Sequence, residues 1–109
     1  MDSMKSLEAV ILAAGIKTQT DFEAVALRLS PAQARLFGLL SSGPADTIRV
    51  RVSASIGNIS ECAASLNAKL ERAGDSRRVR CELRPHQNSF GERGVLGVWR
   101  LVELERVAA

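Results

Sequence analysis

A helix with clear start and stop signals occupies the second quarter of this 109-residue chain. Ser30 is a favourable N-cap, Pro31 suits the first helical position, and Gln33 completes a capping box. A broad apolar stripe follows, formed by Leu36, Phe37, Leu39 and Leu40. Ser42-Gly43-Pro44 ends the helix. The sequence therefore predicts a helix from residue 31 whose apolar side packs on a core.

A second helix is expected after residue 57. Gly57-Asn58-Ile59 is predicted to be a turn, Ser60 to cap a helix over Glu61–Ala73, and Gly74 to end it. Its core face, from the helical spacing of apolar residues, consists of Ile59, Cys62, Ala63, Leu66, Leu70 and Ala73. The same spacing places on the outward face Glu61, Ala64, Ser65, Ala68 and Arg72.

Two strands are predicted to complete the chain as a hairpin. Val79, Cys81 and Leu83 alternate with charged residues, which is typical of a strand with one buried face. Val95–Leu104 is apolar enough to be a strand buried on both faces. Pro85–Gly94 is expected to form a long polar loop between them.

Periodicity leaves two segments open. Residues 22–29 fit either one face of a helix or an alternating strand. Residues 47–56 also fit both, although their β-branched residues favour at least a short strand at the start. Ser6–Ala14 has helical spacing and is predicted to be a further helix near the N-terminus.

Positive charge is concentrated in one part of the chain. The formal net charge is +3, but residues 49–93 alone carry nine Lys and Arg against five Asp and Glu. Residues 1–48 and 94–109 carry a net charge of −1 and 0, respectively. We therefore expect a polyanion to meet the middle-to-late segment.

Four stretches resemble winged helix-turn-helix DNA-binding domains, in particular the effector domains of response regulators. Leu29–Leu40 (LSPAQARLFGLL) is similar to their first helix, and Arg93–Leu101 (RGVLGVWRL) to their closing strand. Val52–Gly57 (VSASIG) resembles the bracing helix and turn, and Leu66–Gly74 (LNAKLERAG) the end of the recognition helix. The stretches occur along the chain in the order found in that family.

The resemblance implies an α+β fold with a three-helix core, a C-terminal β-hairpin wing and an extra N-terminal helix. Residues 1–29 would form an N-terminal extension that could mediate homodimerisation, and residues 30–109 the winged-helix domain. It also implies a transcriptional regulator or accessory factor that binds double-stranded DNA. Helix 60–73 and wing 84–94 would make the contacts.

The predicted DNA-contact residues form three groups. On or beside the outward face of the second helix lie Ser65, Asn67, Lys69 and Arg72. Phosphate contacts are expected from the arginines of the hairpin and its approach, Arg77, Arg78, Arg80, Arg84 and Arg93. Neutral hydrogen bonds at the wing tip are expected from Gln87 and Asn88. Within the first group, the Asn67 amide has the chemistry to recognise adenine.

The same features also fit a winged-helix module that binds a protein and not DNA. No enzyme signature is present, and we expect no metal or cofactor, since the one histidine, His86, lies in the polar loop. Cys62 and Cys81 are expected to be buried free thiols. No apolar run is long enough to span a membrane, and the expected location is cytoplasmic.

Overall fold

The computed structural model describes residues 19–105, so the predicted helix Ser6–Ala14 lies outside the described residues. The elements in chain order are α1 (Gln19–Ala26), α2 (Pro31–Ser41), β1 (Ala45–Asp46), α3 (Thr47–Ser53), α4 (Ile59–Arg72), β2 (Arg77–Gln87) and β3 (Arg93–Glu103). The described part of the chain is therefore an α+β structure with four helices. Its three strands form one antiparallel sheet in the order β1-β3-β2.

Helix α2 begins where the capping signals predict. The hydroxyl oxygen of Ser30 accepts a hydrogen bond from the backbone N–H of Gln33 at 3.2 Å. In return the Ser30 backbone N–H donates to Oε1 of Gln33 at 2.8 Å. Both halves of the capping box are thus formed, and they satisfy two backbone donors that a helix start leaves without an intrahelical partner.

The core lies between the helices and the base of the hairpin. Its large buried side chains are Leu36, Phe37, Leu40, Val50, Ile59, Leu66, Leu70, Val79 and Trp99. Burial of each such side chain contributes about 1.5–3 kcal/mol to folding. The predicted core positions of α2 and most of those of α4 are confirmed, as is the interior position of Trp99.

Both segments that periodicity left open fold mainly as helices. Residues 19–26 form α1, and residues 47–53 form α3 after the two-residue strand β1. The carboxylate of Asp46 caps α3 by accepting the backbone N–H of Arg49 at 2.8 Å. Val50 is fully buried, whereas Ile48 and Val52 are exposed. Capping and the burial of Val50 therefore prevail over the β preference of branched side chains.

Two details of the predicted second helix are wrong. Helix α4 begins at Ile59, and its N-cap is Asn58, whose side-chain oxygen accepts the backbone N–H of Glu61 at 3.1 Å. Ser60 therefore lies within the helix. Ala73 is exposed because it is the C-cap, beyond the last turn that packs on the core.

The hairpin differs more from the prediction than the helices do. Its strands are eleven residues long, so residues 88–92 alone connect them and the long loop over Pro85–Gly94 is wrong. All residues from 81 to 95 are exposed, because the helices cover only the base of the hairpin. Hence β3 is not buried on both faces, and the Cys81 thiol is exposed, while Cys62 is buried as predicted.

The two faces of the hairpin have different chemistry. Val79 and Trp99 are buried, so their face, the inner face, is the one that meets the core. Farther along this face lie Leu83 and Val95, both exposed. Alternation and the antiparallel register assign to the opposite face, the outer face, Arg78, Arg80, Glu82, Arg84 and Arg100.

Candidate nucleic-acid interface

The outward face of α4 is exposed as its spacing predicts. The predicted outward residues Glu61, Ala64, Ser65, Ala68 and Arg72 are all exposed. They carry one carboxylate and one guanidinium, so this face offers no excess of positive charge to phosphates. The guanidinium of Arg72 makes no side-chain hydrogen bond or ion pair to any residue between 19 and 105 and is free to bind a ligand.

Ser65 connects α4 to α2. Its hydroxyl donates to the backbone oxygen of Cys62 at 3.0 Å and accepts from Nε2 of Gln33 at 2.9 Å. Gln33 is buried, and its Oε1 also receives the capping bond from Ser30. The Ser65 hydroxyl therefore serves the contact between two helices.

Asn67 joins α4 to the edge of the sheet. Its Nδ2 donates to the backbone oxygen of Val79 at 3.0 Å, and its Oδ1 accepts the backbone N–H of Val79 at 2.7 Å. The amide thus pairs with the outer edge of β2 much as a neighbouring strand would. Recognition of adenine requires both the N–H and the C=O of the side-chain amide. In Asn67 both groups are already hydrogen-bonded to Val79.

Lys69 ties the end of α1 to α4. Its ammonium donates to the backbone oxygen of Arg28 at 2.8 Å and to Oε1 of Gln33 at 2.7 Å. Arg28 has a φ of 57°, in the left-handed region, and its carbonyl is directed at this ammonium. Two hydrogen bonds hold Lys69 close to the helical body.

Arg77 forms the most connected ionic cluster in the described part of the chain. Its guanidinium bonds Asp75 through two nitrogens, at 3.0 and 2.7 Å, and reaches Oε2 of Glu23 at 3.0 Å. The guanidinium carbon also lies 5.0 Å from the centre of the Phe37 ring, a cation–π distance. Hydrogen bonding to Arg77 is the main cause of a lowered pKa for Asp75. The cluster fastens α1 and the base of β2 to the core.

Arg78 is also held by the backbone. Its Nη1 donates to the carbonyl oxygens of Asp75 at 2.6 Å and Arg77 at 2.7 Å. The residue is half-buried at the base of the outer face. Of the five predicted phosphate-binding arginines, the two nearest the body therefore have structural partners.

The other three, Arg80, Arg84 and Arg93, lie on the projecting part of the hairpin and are exposed. Arg80 and Arg93 make no side-chain hydrogen bond or ion pair within residues 19–105. Arg84 donates to Glu82 at 3.0 Å, and this hydrogen bond is the main cause of a lowered pKa for Glu82. Such an exposed pair is weak and can exchange its partner for a phosphate.

Glu82 is shared along the outer face. Its Oε2 also lies 3.3 Å from Nη2 of Arg100, which the register places directly opposite Arg80. Two like charges facing each other across a strand pair are unfavourable, and a bound anion would relieve the repulsion. The outer face thus presents Arg80, Arg84 and Arg100 around a single carboxylate.

A groove that the sequence did not predict runs beside the inner face. It has a volume of about 510 Å³ and is lined by ten residues, among them Thr47, Arg51, Asn58, Ser60, Cys81 and Leu83. Arg49 and Arg51, on exposed positions of α3, add two cations that were not among the predicted contacts. The only sequence signal that singled out these two arginines was their alternation with apolar residues, and that alternation indicated a strand.

Comparison with protein-family models, curated proteins and solved structures finds no significant match to this chain. Within residues 19–105 no helix is long and apolar enough to cross a membrane. The same residues contain no group of three His, Cys, Asp or Glu side chains placed to hold a metal ion.

Proposed function

We propose that the protein is a winged-helix DNA-binding protein that contacts the duplex mainly through its hairpin. The order α2-β1-α3-α4-β2-β3, with β3 between β1 and β2, supports the winged-helix assignment. In that fold α3 and α4 are the two helices of the helix-turn-helix, and the hairpin is the wing. The regulatory role in transcription stays a prediction.

The observation that carries the proposal is the exposed hairpin with its unpartnered arginines. Fifteen consecutive residues, 81–95, are exposed. A two-stranded ribbon is only marginally stable without a packed face, so a ribbon of this length is best explained by a surface that meets a ligand. Arg80 on the outer face and Arg93 on the inner face give the two sides of the hairpin positive charge that has no partner among residues 19–105, and phosphates would neutralise it with release of counterions.

Compared with the contacts predicted from the sequence, the proposed contacts include fewer residues of α4 and add residues of α3. It consists of Arg49, Arg51, Arg72, Arg80, Arg84 and Arg93. The set omits Ser65, Asn67, Lys69, Arg77 and Arg78, whose polar groups have partners within the protein. Because α4 presents few groups that could recognise bases, we expect binding that depends little on DNA sequence.

Salt-dependent binding tests the proposal. For the variant Arg80→Ala/Arg93→Ala, the slope of log Kd against log salt should fall by about 2 relative to the unsubstituted protein, because each phosphate contact contributes about 0.9. The control is Arg28→Asn, which removes a cation outside the hairpin, in the turn after α1 whose carbonyl accepts from Lys69, and tolerates the positive φ. Absence of salt-dependent binding to duplex DNA by the unsubstituted protein would refute the proposal.

A second candidate function is recognition of a protein. Leu83, which lines the groove, is 73% exposed, and Val95, on the same face of the hairpin, is 68% exposed. Exposed apolar side chains in such positions favour a protein partner. Leu83→Ser should then abolish capture of a stoichiometric partner, while Arg80→Ala/Arg93→Ala should not. If DNA is captured instead, and its capture is lost in Arg80→Ala/Arg93→Ala but not in Leu83→Ser, the first candidate is favoured.

A further inference from the structure

The five-residue turn at the end of the hairpin is held by an unusually complete set of hydrogen bonds. The Asn88 side-chain oxygen accepts the backbone N–H groups of Phe90 at 2.9 Å and Glu92 at 3.0 Å. The Asn88 backbone N–H donates to the Glu92 carbonyl, and its own carbonyl accepts from Gly91. Nε2 of Gln87 closes the other side by donating to the Gly91 carbonyl at 2.9 Å. The predicted tip residues Gln87 and Asn88 therefore shape the turn.

This turn presents one aromatic side chain to solvent. Phe90 is 87% exposed, more than any other large hydrophobic residue that the structure describes. Its neighbours Ser89 and Gly91 are small, so neither has a large side chain that could cover the ring. Gly91 has a φ of 83°, a left-handed conformation that favours glycine. The hydrogen-bonded turn therefore holds an aromatic ring that does not pack in the core.

We infer that Phe90 is a wedge that enters the DNA minor groove and inserts between two base pairs, which kinks the duplex. The inference rests on the proposed function. Proteins that kink DNA in this way insert apolar side chains such as Phe between base steps and use Arg and Lys in the minor groove. Here Arg93 begins β3 three residues after Phe90, and Arg84 lies on the preceding strand.

The length of the projecting hairpin and the hydrogen-bonded order of its turn fit the same role for Phe90. Seven residues of β2, from 81 to 87, extend beyond the buried base, which corresponds to about 20 Å of strand. The minor groove of B-DNA is about 6 Å wide, which admits a single ring from a tip with small neighbours. The Glu92 carboxylate, the one acidic group of the turn, is 3.2 Å from Nδ2 of Asn88 and is thereby held at the turn. Since the turn is already ordered, binding loses little conformational entropy there.

The test uses a duplex with 2-aminopurine beside a central TA step and a donor–acceptor dye pair at its ends. The unsubstituted protein should raise 2-aminopurine fluorescence, because the base unstacks, and should shorten the end-to-end distance. Phe90→Ala should bind within about tenfold of the unsubstituted affinity, since the phosphate contacts remain, but should lose both signals. Phe90→Leu should retain part of them, and Ser89→Ala, the matched control at the tip, should retain all.

The outcomes separate this inference from the DNA-binding proposal. If the unsubstituted protein binds duplex with an affinity that falls with salt but leaves fluorescence and end-to-end distance unchanged, the wedge is refuted and DNA binding stands. The wedge is also refuted if Phe90→Ala unstacks and bends DNA as the unsubstituted protein does. If no duplex binds at any salt concentration, both fail. Equal thermal midpoints for Phe90→Ala and the unsubstituted protein exclude unfolding as the cause of a lost signal.

Discussion

At the scale of single residues, the most informative side chain is Asn67. Helical spacing puts it beside the outward face of α4, where an amide has the chemistry of a base-recognition group. In the fold it saturates the backbone of Val79 at the edge of β2. The difference arises because helical periodicity describes one helix, whereas the position of β2 depends on the tertiary packing of the hairpin. A polar residue near a helix surface can therefore be a structural partner of a distant strand.

Removal of this amide should destabilise the protein and leave DNA recognition unchanged. Asn67→Ala leaves the N–H and C=O of Val79 without side-chain partners, at a cost of about 1–3 kcal/mol in the free energy of unfolding. Urea denaturation measures the loss. Asn67→Asp keeps the acceptor for the Val79 N–H but sets a carboxylate oxygen against the Val79 carbonyl oxygen, so this variant should also be less stable than the unsubstituted protein. An Asn67→Ala variant of unchanged stability with an altered base preference would contradict this account and restore Asn67 as a recognition residue.

At the scale of secondary-structure elements, local signals predicted the elements whose determinants are local. The Ser30–Gln33 capping box fixes the start of α2, and the spacing of Leu66 and Leu70 fixes the buried face of α4. Periodicity leaves residues 47–56 open because their conformation depends on Val50 reaching the core. The projection of the hairpin could not be predicted either, because alternation gives the two faces of a strand and does not say how far the helices extend over it.

The attachment of α1 depends on ions in addition to apolar contact. Phe22 and Val25 are 44% and 59% exposed, so α1 leaves part of its apolar surface uncovered, and dimerisation through residues 1–29 stays a prediction. Arg77 joins the helix to β2 through Glu23, and Asp75 holds the guanidinium from the other side. We therefore expect the stability of this junction to depend on the charge of Asp75.

The pH dependence follows from the lowered pKa of Asp75, whose largest cause is the hydrogen bond from Arg77. A carboxylate with a lower pKa in the folded state stabilises the protein above its unfolded pKa, about 3.9, and this contribution is lost as pH falls through the folded value. Asp75→Asn should lower the free energy of unfolding by about 1–2 kcal/mol at pH 6, and the difference should shrink below pH 4. Chemical denaturation across pH measures it.

Glu71→Gln supplies the control for this measurement, since Glu71 is an exposed carboxylate on α4 with no side-chain partner within residues 19–105. Its pH profile should follow that of the unsubstituted protein. A constant difference between Asp75→Asn and the unsubstituted protein from pH 6 to pH 3 would show that the charge of Asp75 does not contribute to the junction.

At the scale of the whole molecule, the cations of the helical body differ from those of the hairpin in whether they have partners within the protein. The helical body uses several cations internally, as with Lys69 and Arg77, and the outward face of α4 has no excess of positive charge. On the projecting hairpin, Arg80 and Arg93 have no side-chain partner among residues 19–105. The sequence correctly located the basic segment at residues 49–93, but only the fold separates cations with internal partners from those available to a ligand.

The most direct test of hairpin-mediated DNA binding is a titration of backbone amide resonances with a short random-sequence duplex at two salt concentrations. At low salt, the largest shifts should occur from residue 80 to residue 95, with smaller shifts around Arg49, Arg51 and Arg72. These shifts should diminish together at high salt, because the contacts are to phosphates. Hairpin amides that do not move while the outward face of α4 does, or an absence of shifts at low salt, would contradict the account.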